Sequence, residues 1–175
     1  MKQLTAQRLR TDLVAARGEF HAALDALSDA DWRGPSRNPG WTNGEVLFHA
    51  FLGFRLTWVL IPFVRLWGRL PAGGSRRFAR GLNGTTGPFN ALNAFAARLG
   101  ARLYSRKRLG RAYDGAHRAL LRRLATIPEV EWQRGMHYPT RWDPLFSDFM
   151  TLEQTVAMPI AHLRFHLGQV AGTRK

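Results

Sequence analysis

A chain of 175 residues, 45% hydrophobic, with 6 tryptophans and 11 phenylalanines, has enough apolar mass to bury a core. That excludes an intrinsically disordered protein and fits one domain over 1–175. It has no cysteine, so disulfides, thiolate metal sites and a cysteine nucleophile are excluded, and any metal site must use His, Asp or Glu.

The net charge of +14 is concentrated in one stretch. Between Glu45 and Asp114 there is no acidic residue, while the stretch carries Arg55, Arg65, Arg69, Arg76, Arg77, Arg80, Arg98, Arg102, Arg106, Lys107, Arg108 and Arg111.

The N-terminus, "MKQLTAQRLRTDLV", is charged and amphipathic and lacks the apolar run of a signal peptide. Leu9, Leu13, Ala16, Phe20, Leu24 and Leu27 recur at steps of three and four, which predicts a helix over about 3–27. Pro35, Pro39 and two glycines then make 28–41 a connection, with Trp32 and Trp41 closing the end of the core. A second helix starts at "TNGE", where Thr42 and Glu45 form a capping box, and places Val46, His49, Ala50, Gly53, Leu56 and Leu60 on one face. It ends or bends near Pro62. The stretch "VLFHAFLGFRLTWVLIPFVRLW" is long enough to span a membrane. However, Arg55 and Arg65 interrupt it, and an arginine at a helix centre costs about 2.5–3.5 kcal/mol on insertion, so the reading is a buried helix in a cytoplasmic protein.

Residues 68–106, rich in glycine and arginine, read as a long crossover with room for one or two short helices, chiefly at 88–99. "GLNGTTG" within it lacks the lysine and preceding strand of a phosphate loop. A third helix over about 107–127 carries Leu109, Tyr113, Ala116, Leu120, Leu124 and Ile127 on one stripe, leaving His117, like His21 on the first helix, partly exposed. "EVEWQRGMHYPTRWDPLFSDFM" is irregular, and no segment has a strand pattern. Its loop holds His137, Tyr138, Arg141 and Asp143; Pro139 and Trp142 give it a packing role, and His137 and Arg141 are candidates for contact with a cofactor. The last helix opens at the capping box Thr151/Gln154, bends at Pro159 and runs to about Ala171.

These elements predict an all-α fold: a four-helix bundle, up-down-down-up, with the long basic crossover between helices two and three. In that order the start of helix two and the end of helix four share one end of the bundle, which brings His49 toward His162 and His166. His162 and His166 are four apart, which suits two ligands of one ion or two polar residues on a helix edge. Gln169, seven residues beyond His162, joins that face and is placed to orient a ligand or a metal-bound water.

Two segments carry a family likeness: "DWRGPSRNPGWTNGEVLFHAF", with its Trp-Thr helix start and a His seven residues after the Thr, and "HLRFHLGQV". In these the chain resembles the DinB-like superfamily of metalloenzymes, whose members include mycothiol-dependent maleylpyruvate isomerase and bacillithiol S-transferases. The resemblance implies a divalent ion, zinc or nickel before manganese or iron, held by His49, His162 and His166. It further implies a low-molecular-weight thiol as co-substrate, S-transferase or isomerase-like chemistry on a small molecule, and a homodimer. Two other readings stand beside it. The basic stretch, interleaved with Trp67, Phe78, Phe89 and Phe95, is a module for nucleic acid or an anionic membrane surface; or the bundle binds metal without catalysis.

Overall fold

The computed structural model describes residues 4–172 and is mostly helical. In chain order the elements are α1 (Leu4–Ala26), α2 (Asp29–Arg33), α3 (Asn43–Trp67), α4 (Ala72–Asn83), α5 (Thr86–Leu103) and α6 (Arg106–Leu124), then a 3₁₀ turn (Glu129–Glu131), β1 (Gly135–His137), β2 (Phe149–Thr151) and α7 (Leu152–Leu167).

The apolar stripes of α1 and α6 are buried along their whole predicted length, from Leu9 to Leu27 and from Leu109 to Ile127. They meet at a stacked pair, Phe20 and Tyr113, with ring centroids 4.0 Å apart. α1 packs on α6 and α7, and α3 packs on the same two helices from the other side. α5 lies against α3 as well. By length and composition α3 is able to cross a membrane, yet here it is flanked by α5, α6 and α7.

Both predicted capping boxes form, Thr42 with Glu45 and Thr151 with Gln154; a third, Ser28 with Asp31, starts α2 inside what the sequence reads as a plain connection. Three expectations need correction. First, of the end or bend expected near Pro62, the end does not occur: α3 continues to Trp67. Proline has no N–H to give the carbonyl four residues back. Arg123 takes its place, donating from Nη1 to Trp58 O at 2.9 Å. Second, the expected core face of α3 divides. Val46 and Ala50 are buried, but Leu56 is 45% exposed, and Phe54, Ile61 and Val64 fill the interior instead. Third, a strand pair does exist. β1 and β2 are antiparallel, with Met136 opposite Met150, and at three residues each they are too short to show alternation. The crossover holds two helices, α4 and α5, separated by Gly84 and Thr85.

Candidate metal centre

His49 stands on the second turn of α3, and His162 and His166 on the last turns of α7. The ends of those helices are tied together by backbone and side-chain bonds. Buried Asn43 donates to Asp31 O and Ala171 O and accepts from Ala171 N–H, at 2.8–2.9 Å. Arg37 N–H donates to Gln169 O at 2.8 Å. The connection before α3 is thereby fastened to the chain leaving α7, and the three histidines meet.

Their nitrogens lie within 4.8 Å of one another, and the ring centroids are 4.4–4.8 Å apart. Two of the rings are fixed in one tautomer. His49 Nδ1 is 3.1 Å from Asn93 Oδ1, and His166 Nδ1 is 2.7 Å from Gln169 Oε1. A carbonyl oxygen only accepts, so both Nδ1 atoms carry the proton and both Nε2 atoms present a lone pair. His162 Nε2 faces His166 Nε2 at 3.1 Å, while its own Nδ1 is buried with no partner. That close seating depends on Gly53: a Cβ there would lie 3.1 Å from His162 Nδ1.

Burial keeps the triad neutral. It lowers His162 to about 2 and His49 to about 4, with the charge of His166 adding to the effect in each. His166 is lowered by burial too, though the Gln169 bond and Asp143 oppose the shift. Neutral imidazoles with converging lone pairs are the protonation state a cation needs. Three nitrogens with two outer carbonyls behind them form a donor set for a borderline-soft divalent ion, with coordination positions left open. The residues fit the metal that the sequence implies.

The triad lies on the wall of a cavity of about 510 Å³. Asp143 also reaches it, from the loop between β1 and β2, its Oδ2 3.5 Å from His162 Nε2. Burial pushes the Asp143 carboxyl up, against a hydrogen bond from Leu145 N–H and the charge of His166. The loop is held in place by Trp142, whose Nε1 donates to Leu82 O at 2.8 Å and whose ring stacks on Phe89 at 4.0 Å.

The other candidates fall elsewhere. Gln169 is where the sequence put it, although α7 has already ended at Leu167. His137 is buried beside α4, its Nδ1 donating to Asp148 at 3.1 Å and its Nε2 accepting from Arg76 at 3.4 Å. Arg141 is exposed, and its N–H donates to Asn83. Neither lines the cavity. His117 is buried, a correction to its expected exposure, because Leu13 O accepts from its Nε2 and pays for its loss of water. His21 is part-buried, 2.8 Å from Asp114. Trp32 is buried against Gly44, whereas Trp41 is only half-buried and sets its ring 5.5 Å from that of His49.

Asn93 is the residue that sequence reasoning passes over. An asparagine in a helix of the crossover carries no local mark of its contact with a histidine 44 positions away.

The family model described as the DinB superfamily matches residues 12–170, a span that includes all three histidines. No curated protein and no solved structure matches the chain.

Proposed function

The chain belongs to the DinB superfamily, and from that premise we propose that it is a metal-dependent enzyme acting on a small molecule. His49, His162 and His166 hold the ion, zinc or nickel before manganese or iron. The observation that carries this reading is the convergence of three neutral imidazoles on one cavity wall. We read α1, α3, α6 and α7 as an up-down-down-up four-helix bundle, which their pairwise packing supports.

When bound, such an ion supplies a Lewis-acid centre that favours a thiolate over a thiol, or hydroxide over water. The side chains do the rest. Asn93 and Gln169 fix the ligand rings from behind. Asp143, its carboxyl pushed up by burial, sets Oδ2 beside the triad. The apolar wall keeps bulk water off the reacting group. Thiol-dependent S-transfer or isomerisation is the chemistry this arrangement suits, with a low-molecular-weight thiol as co-substrate.

Metal analysis of the purified, untagged protein by plasma mass spectrometry tests the proposal. The expected result is a near-stoichiometric divalent ion in the wild type and its loss in His162→Ala/His166→Ala. Gln169→Ala is expected to weaken zinc binding about 10–100-fold without abolishing it. No metal after reconstitution with Zn²⁺ and Ni²⁺ overturns the reading. Metal-loaded protein is then assayed for thiol transfer, and activity unchanged by chelation rules out the metal's catalytic part.

A further inference from the structure

The cavity beside the triad is apolar over most of its wall, through side chains such as Leu56, Val59, Phe89, Phe146, Met158 and Phe165. Its hydroxyls are already engaged. Thr57 Oγ1 donates to Gly53 O at 2.9 Å, and Tyr138 Oη and Thr155 Oγ1 share a hydrogen bond of 2.8 Å. Two groups on the wall carry a formal charge at neutral pH, and they are unlike. Asp143 stands at the histidine end, 3.5 Å from His162. Arg55 lies six residues beyond His49 on α3, about 9 Å of helix rise. It makes no hydrogen bond or ion pair among the described residues. A guanidinium beside an apolar cavity, with no carboxylate of its own, matches an anionic head group.

We infer that the substrate is an amphiphilic monoanion: an apolar body filling the cavity, a carboxylate or similar head paired with Arg55, and the opposite end at the histidines. This rests on the reading of the cavity as a substrate site. The wall favours the orientation, because Arg55 stands away from the histidines with no carboxylate of its own and attracts the anionic head there. A polar or polycationic ligand would leave its hydrogen-bonding groups unmatched against the leucine, phenylalanine and methionine side chains. The cavity volume of about 510 Å³ holds a body of drug-like size.

Octanoate and 1-octanol share an apolar chain and differ in the head, so they serve as probes in calorimetric titrations of the full chain. The titrations are run on zinc-loaded and chelator-treated protein, with Arg55→Gln and, as a control away from the cavity, Arg77→Gln. The expected result is octanoate binding at least about ten-fold more tightly than octanol in both metal states. Arg55→Gln brings the two within about two-fold while leaving octanol unchanged, and Arg77→Gln keeps the preference. Equal affinities in the wild type, no binding of either probe, or a preference that survives Arg55→Gln overturns the inference. The chelator-treated arm separates the two proposals. A chain that takes up no zinc but still prefers octanoate through Arg55 refutes the metal centre alone, and a zinc-binding chain without the preference refutes the substrate class alone.

Discussion

Two buried polar clusters in this protein are satisfied in opposite ways. At one, the Glu131 carboxylate, 3% exposed, accepts from Arg65 Nε, from Arg69 Nη2 at 2.7 Å and from Arg134 Nη1 at 3.3 Å. Burial pushes that carboxyl up, but the hydrogen bonds and charges of Arg65 and Arg69 outweigh it and leave it below the ordinary range. One buried charge is met by donors from three arginines. At the other, three imidazoles are driven neutral by burial, the Nε2 atoms of His162 and His166 face each other, the second nitrogen of His162 is orphaned, and a cavity lies alongside. A closed cluster fixes a fold, whereas an incomplete one beside open space is built to receive something.

The contrast also sorts the arginines. Arg65 and Arg69 belong to the Glu131 cluster. Arg106 holds Asp29 and the carbonyls of Leu24 and Leu27, and Arg108 bonds Leu103 O. Part of the basic stretch is thus structural, which lessens the case for it as a nucleic-acid or membrane surface.

The largest test separates the clusters on the pH axis. In metal-free protein His49 and His162 are lowered from 6.5 to about 4 and about 2, so the unfolded chain binds their protons first. Stability is then full above pH 6.5 and falls as the pH drops toward those values. Each histidine costs about 1.4 kcal/mol per pH unit, on the order of 5 kcal/mol for the pair over two units. Urea unfolding between pH 6.5 and 4.5 measures it, and His162→Gln should remove about 1.4 kcal/mol per unit from the slope. The lowered Glu131 carboxyl works in a different window. Its contribution is present above the ordinary carboxylate pKa and is lost only as the pH falls below it. A stability curve flat from pH 6.5 to 4.5 would refute the neutral triad.

Next in size is the ion itself. Zinc at a thousand times its dissociation constant should raise wild-type stability by about 4 kcal/mol, and His162→Ala/His166→Ala should abolish the gain. Glu131→Ala should keep it. That variant should instead lose about 2–3 kcal/mol in both metal states, below the usual cost of breaking a buried pair because its three arginines keep contact with water. A Glu131 variant that lost metal would show that the two clusters are coupled.

The readable and unreadable parts of this chain divide by the range of the forces that decide them. The stripes of α1 and α6 and the caps at Thr42 and Thr151 depend on neighbours three or four residues away, so periodicity and cap chemistry reveal them. The three histidines were legible because family likeness joined the two helices that carry them. Asn93, the seat of Asp143 beside the triad and the split face of α3 were not, because each is set by what the crossover and the β1–β2 loop lay against α3 and α7, contacts that no local pattern encodes. Pro62 shows the same limit: the missing donor is local, and its remedy comes from Arg123 on α6.

That remedy gives the smallest effect. Pro62 leaves Trp58 O without a backbone donor; Arg123 supplies one at 2.9 Å and sets its guanidinium 4.0 Å from the centre of the Trp58 ring. Both partners are near the surface, so water can replace much of what is lost. Arg123→Ala should therefore cost only about 1 kcal/mol, below either buried cluster. In a Pro62→Ala background the restored N–H competes for the same carbonyl, and the cost should fall by roughly half, leaving the cation–ring contact. Equal costs in the two backgrounds would mean that the arginine acts through the tryptophan ring alone. The length of α3 beyond Pro62 would then owe nothing to Arg123 and must be held by the burial of Ile61 and Val64 on either side of the proline.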